Sequence, residues 1–233
     1  MSSLLSWDSF DAYLFDIDGT LLHCTDAVHY FAFCNVLSKF TGTSLNLEGV
    51  TTHGNTDVGI LRDAFALAGV PEESWRPYLP ELCEQMHLYV EHHKTDLCAN
   101  VLPAIREVLV HLRERKALLS IATGNLERIG KQKLTAAGLL DFFPLGAWSD
   151  AFEYRIDVFR QAVEQITDVK GQRARILAVG DTPADIVAAH ENGLPILAVA
   201  TGIYSYDELA AVNPAFCISS FADVMDASRD GRF

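Results

Sequence analysis

Two aspartates one residue apart, Asp16 and Asp18, stand at the end of an apolar run in AYLFDIDGTLL (residues 12–22). A carboxylate at the end of a buried strand is costly unless it is paired or holds a metal. At a strand end, side chains two residues apart can face the same way. The pair therefore suits a two-carboxylate task, with one group attacking and the other moving protons. Gly19 lets the backbone turn away behind them. The plainer alternative is a turn at Asp18-Gly19, with Asp16 as a helix cap.

Asp181 and Asp185, in GDTPAD (180–185), follow a second apolar run. With Asp16 and Asp18 they would gather up to four carboxylates at one sheet edge, and such a cluster repels itself. A hard divalent cation with oxygen ligands, Mg²⁺ by preference, resolves the repulsion. Asp181 or Thr182 also reads as the cap before Pro183, which is compatible with metal binding. Thr123-Gly124-Asn125 follows a third apolar run. A hydroxyl and exposed N–H groups at a helix start form an anion site, although a simple cap explains the stretch equally well. Arg155 opens the next helical pattern, AFEYRIDVFRQA, where a guanidinium could pair with the carboxylates and hold a phosphoryl group. Arg160 is a nearby rival.

The runs AYLF, ALLSIA, RILAVG and PILAVA are short and nearly continuous in apolar character, as strands covered on both faces are. Each ends in small or polar residues. Helical patterns lie between the last three, at 126–140, 156–166 and 183–193, and another at 102–115 precedes the second. This alternation predicts an α/β fold with a doubly wound, Rossmann-like parallel sheet. Ligands of such sheets bind beyond the carboxyl ends of the strands, where the polar clusters fall. The first strand breaks the rhythm. The stretch between Leu22 and Val101 carries helical patterns at 26–42, 55–70 and 72–94, which predicts an α-helical insertion over the sheet edge. The expected division is a core of residues 1–22 and 98–233 and a helical cap of residues 23–97. YSYDELA and SFADVMDAS read as short terminal helices around a small strand, AFCIS.

The 233 residues are 49% hydrophobic and 21% charged, a globular composition. The formal charge of −13 and the lack of a basic stripe argue against nucleic acid. An acidic surface repels anionic substrates, so a local cation must reverse the sign at any anion site. The five cysteines are scattered, with no CxxC pair, which reads as free thiols in a reducing compartment. The N-terminus has no signal-peptide pattern and no apolar run reaches a membrane span, so the expectation is a cytoplasmic protein with no membrane partner.

The order DIDGT, ATGN, a basic residue, GDTPAD resembles the haloacid dehalogenase-like hydrolase (HAD) superfamily, over nearly the whole chain. The insertion after the first motif resembles that family's helical cap. Members commonly carry a lysine followed by proline at the third motif; this chain has Arg155-Ile156. The resemblance implies a phosphatase of the phosphoglycolate phosphatase-like branch. In it Asp16 attacks phosphorus and Asp18 is the acid and base. Asp16, Asp181 and the Asp18 carbonyl would ligate Mg²⁺, with Asp185 holding a metal-bound water. Thr123, Gly124, Asn125 and Arg155 would bind the phosphoryl oxygens. Dehalogenases of the family lack the second aspartate of the first motif, so Asp18 points to phosphoryl transfer.

In the insertion, THGNTD (52–57) is the part expected to face the substrate, with His53, Asn55 and Thr56 as contacts and helix capping as the simpler role. His23 could touch the substrate or the hinge. His87, His92 and His93 lie on a polar helix without a metal-ligand spacing. The expected substrate is a small phosphorylated metabolite, phosphoglycolate or a sugar phosphate among them. A phosphomutase on the same scaffold, or a phospho-ligand binding module without turnover, are the alternatives. The sequence is silent on oligomeric state.

Overall fold

Strand β1 (Ala12–Phe15) sends Tyr13 and Phe15 into one apolar core and Ala12 and Leu14 into another. The period of two in an extended chain does this, and all four side chains are buried. The computed structural model describes residues 6–224. In it β1 is central in a six-stranded sheet that leaves β2 (Leu22–Cys24) outside. Its partners are β4 (Leu118–Ala122) on one side and β6 (Ile176–Gly180) on the other, both parallel to it. Beyond them lie β5 (Leu145–Ala147), then β7 (Ile196–Val199) and β8 (Phe216–Ile218), giving the order β5-β4-β1-β6-β7-β8. The winding reverses at β1, which makes its carboxyl end the switch point of the sheet.

Helix α5 (Ile105–Glu114) covers the Tyr13/Phe15 face through Ile105, Val108, Leu109 and Leu112. Helices α7 (Arg155–Lys170) and α8 (Pro183–Glu191) cover the other through Val158, Phe159, Ala162 and Ile186. Short α9 (Tyr206–Ala210) adds Leu209 to that second core. This is the three-layer α/β architecture that alternating strand and helix patterns dictate.

Strands β2 (Leu22–Cys24) and β3 (Ala99–Val101) form a separate antiparallel ribbon. Between them the chain folds into α1 (Val28–Thr41), α2 (Asp57–Leu67), α3 (Glu72–Trp75) and α4 (Leu79–His92). These helices share a third apolar cluster, with Phe65 stacked on Trp75 at 5.2 Å between ring centres. Helix α6 (Glu127–Ala136) joins the two regions. Its Leu134 packs in the sheet core, whereas Ile129 and the preceding Leu126 pack in the helical lobe.

The lobe is fastened to the core at Glu153. The Glu153 carbonyl accepts from the Thr56 hydroxyl at 2.7 Å, and its carboxylate meets Arg62 at 2.9 Å and Arg76 at 2.8 Å. The predicted strand AFCIS and helix YSYDELA form as β8 and α9; SFADVMDAS runs beyond the described residues after Val224. Among the described residues no helix is long and apolar enough to cross a membrane.

Candidate active site

Asp16 follows β1, Thr123 follows β4 and Asp181 follows β6. Phe15 is in register with Ile121 and with Val179, so Asp16 is level with Ala122 and Gly180, and Thr123 and Asp181 leave the same carboxyl edge of the sheet one residue later. Asp185 lies one turn into α8 and Arg155 opens α7. All five are buried, from 0% exposure at Asp185 to 8% at Arg155.

Arg155 is the cation of this group. Its Nε donates to Asp185 Oδ1 at 2.7 Å, and its Nη2 lies 2.8 Å from Asp16 Oδ1. Arg160 points away and pairs with Asp157 at the surface. Asp185 is doubly committed: Oδ1 to Arg155, and Oδ2 to the N–H and hydroxyl of Thr182 in a capping box. Asp181 accepts from the Thr20 hydroxyl at 3.1 Å. Its carboxylate fits because Gly19 and Gly202 carry no side chain. A Cβ at Gly19 would lie 2.2 Å from Asp181 Oδ2, and one at Gly202 1.7 Å from it. Gly19 also has a φ of +82°, which favours glycine on its own.

Oxygens of Asp16, Asp181 and Asp185 all lie within 4.8 Å of one another. Burial pushes the Asp16 carboxyl up to about 6, with Arg155 opposing and the neighbouring carboxylates reinforcing the shift. Burial likewise pushes Asp181 up to about 8, aided by the charges of Asp16 and Asp185. One arginine does not neutralise this cluster. Asp16 Oδ1 is buried without a well-directed hydrogen bond, although Arg155 lies near it. Three carboxylates that share one guanidinium, with only oxygen to offer, fit a hard divalent cation.

Asp18 behaves differently from its neighbour. Its carboxylate is turned away from the cluster and accepts from Lys133 Nζ at 2.9 and 2.8 Å and from Asn125 Nδ2 at 2.8 Å. Burial pushes its carboxyl up, but the Lys133 charge and these hydrogen bonds outweigh burial and leave it below the usual range. Lys133, on α6, escaped the sequence reading. The available signal was its position in an apolar stripe. Leu126, Ile129, Lys133 and Leu134 follow helical spacing, and the lysine is as buried as its neighbours, at 3% exposure.

The Thr123-Gly124-Asn125 turn is only partly free for a ligand. The Asn125 N–H makes a long 3.4 Å bond to Thr123 Oγ1, and the Leu126 N–H donates to Asp57 Oδ2 of the lobe at 2.8 Å. Asn125 Nδ2 also donates to Thr123 Oγ1 at 2.9 Å, so the threonine's own proton is free to point elsewhere.

A cavity of about 260 Å³ opens over these groups. Asp16, Asp18, Thr123, Gly124, Asn125, Lys133, Arg155 and Asp181 form its core wall. The lobe supplies an apolar side, Phe33, Leu47 and Ile60, and a polar side, His29, Thr52 and His53. His29 lies 3.1 Å from Asp57 Oδ2 and stacks on Phe33. Of the expected lobe contacts, His53 lines the cavity. Asn55 lines it too, but its amide bonds Thr51 and Asp63. Thr56 caps α2 through the Gly59 N–H and donates to Glu153. His23 sits at the ribbon, 2.8 Å from the Thr201 carbonyl.

The family model for haloacid dehalogenase-like hydrolases matches residues 13–199. The chain is 27% identical over 217 residues to the "Probable phosphatase IndB" of Dickeya dadantii, covering 92% of each chain. It is 26% identical over 220 residues to a phosphoglycolate phosphatase of Agrobacterium fabrum, covering 92% of this chain and 90% of the relative. The fold matches the crystal structure of a hydrolase from Pseudomonas syringae with a TM-score of 0.68 at 19% identity, over 94% of this chain and 98% of that one. Motifs, sheet topology and clustered carboxylates agree with these matches, and the chain belongs to the haloacid dehalogenase-like hydrolase family.

Proposed function

We propose that the chain is a Mg²⁺-dependent phosphatase acting on small phosphomonoesters through an aspartyl-phosphate. Helices α1–α4 serve as its cap, within residues 23–97, over a core of residues 1–22 and 98–233. The observation that carries this reading is the convergence of Asp16, Asp18, Thr123, Arg155 and Asp181 on one cavity.

An Asp16 carboxylate oxygen attacks phosphorus, and the bond from phosphorus to the ester oxygen breaks. Asp18, ionised beside Lys133 in the free protein, takes up a proton from solvent as the anionic ester binds and gives it to the departing alcohol. It then takes one from the water that releases inorganic phosphate and restores Asp16. The Thr123 hydroxyl, the Gly124 N–H and Arg155 steady the equatorial oxygens. Asp16, Asp181 and the Asp18 carbonyl would hold Mg²⁺, with Asp185 behind them. Once bound, the ion offsets the carboxylate charge and that of the incoming phosphoryl group. The lobe excludes bulk water while the ester is cleaved and must lift for release.

The cavity suits a small leaving group. The relatives named phosphoglycolate phosphatase make phosphoglycolate a first substrate to try, beside sugar phosphates. A phosphoester panel with and without Mg²⁺ tests the reading, with free phosphate as the readout. Release that needs Mg²⁺ supports it. An isomerised sugar phosphate with little free phosphate replaces it with a mutase. No turnover of any ester replaces it with a binding module.

A further inference from the structure

The Lys133 ammonium has three N–H bonds and three acceptors, Asp18 Oδ1, Asp18 Oδ2 and Asn125 Oδ1, at 2.9, 2.8 and 2.8 Å. Its side chain is 4% exposed, against 41% for Asp18. A fully committed ammonium has no donor left for a substrate anion. Nor does α6 need the ion pair in order to dock. Leu134 already anchors it in the sheet core, and Leu126 and Ile129 in the lobe cluster. An apolar side chain of similar length would fill the space without the desolvation cost of a buried charge.

The contacts of Lys133 are also directional. With the ammonium on Asn125 Oδ1, the Asn125 amide has one sensible orientation, Nδ2 toward Asp18 and Thr123. The lysine thus fixes the Asp18 carboxylate directly and, through Asn125, the sense of the Thr123 hydroxyl.

We infer that Lys133 is a positioning residue that sets the Asp18 carboxylate for proton transfer to the leaving group. This rests on the phosphatase reading. The role predicts a dependence on the leaving group. An alcohol that departs readily as an anion needs little from Asp18, and a basic alcohol needs its proton.

The test is kcat/KM for Lys133→Met on aryl phosphates from 4-nitrophenyl to 4-methoxyphenyl and on an alkyl phosphate, with circular dichroism to check the fold. The expected loss is below about threefold for 4-nitrophenyl phosphate and on the order of a hundredfold for the alkyl ester. In an Asp18→Asn background, Lys133→Met should cost nothing further on the alkyl ester. An equal loss across the series, or losses that multiply in the double variant, overturns the inference and leaves the phosphatase reading standing. Wild-type protein that turns over no ester removes both. If Lys133→Met does not fold, Lys133→Leu, which also removes every donor toward Asp18, carries the same comparison. Failure of both to fold makes the lysine structural and overturns the inference.

Discussion

The backbone N–H of Asp57 donates to the carbonyl of Gly124 at 2.7 Å. A residue of the helical lobe is thus bonded to the turn expected to hold a phosphoryl group. The approach is close enough that a Cβ on Gly124 would lie 2.1 Å from the Asn55 carbonyl oxygen. Gly124→Ala must push lobe and turn apart by about an ångström. A misplacement of that size costs on the order of a hundredfold in rate. Steady-state kinetics on the best ester of the panel should show that loss, and a variant as active as wild type would contradict the lobe's working position.

Asp16→Asn removes the proposed nucleophile and one of three mutually repelling carboxylates. Turnover should fall by at least about a thousandfold. The metal-free protein should unfold at the same temperature or higher, because the lost charge was unfavourably placed. Phosphate release and thermal unfolding of one preparation check both. Retained turnover would sink the assignment.

Asp16 and Asp181 are pushed up to about 6 and about 8. Each keeps its proton in the folded state at a pH where the unfolded chain has lost it. Stability of the metal-free protein should therefore decline as pH rises from the ordinary carboxylate range through these values. A divalent cation binds the ionised carboxylates, so its apparent affinity should climb over the same interval and level off above about 8. Melting curves at several pH values, with and without Mg²⁺, should diverge toward high pH. A gap that stays constant would contradict the metal assignment.

His87 of the lobe is buried, with Glu84 at 3.6 Å and Asp150 at 3.8 Å, and neither ring nitrogen has a hydrogen bond. Burial holds it below the usual histidine range; Asp150 and Glu84 oppose that shift and Arg128 adds to it. As pH falls below about 6.5, the unfolded chain takes up the proton first. Stability should drop from there until the folded histidine also protonates. His87→Leu should flatten that part of the melting temperature against pH, and an unchanged slope would assign it to another group.

What the sequence made legible was local. AYLF forms a strand over those four residues, because a continuous apolar run beside a turn has little alternative. Asp16, Asp181, Asp185 and Arg155 were found because each sits at the end of such a run or the start of a helix. Lys133 was missed because its partner Asp18 is 115 residues away. Asp57 reads as an ordinary helix-start acid, and only the folded chain shows it reaching Leu126. Strands β2, β3 and β5 are three residues each, too short for a period to show. The ribbon β2–β3 also pairs segments held apart by the whole lobe, and the expected cap boundaries run through or beside it.

Glu153 takes Thr56, Arg62 and Arg76 from the lobe, and Arg155 follows it by two residues. The tether of the lobe and the guanidinium beside Asp16 thus hang on one short leash of chain. If the lobe lifts for release as proposed, the pull that frees it also tugs on Arg155, and letting the product out and slackening the grip on it become a single mechanical event.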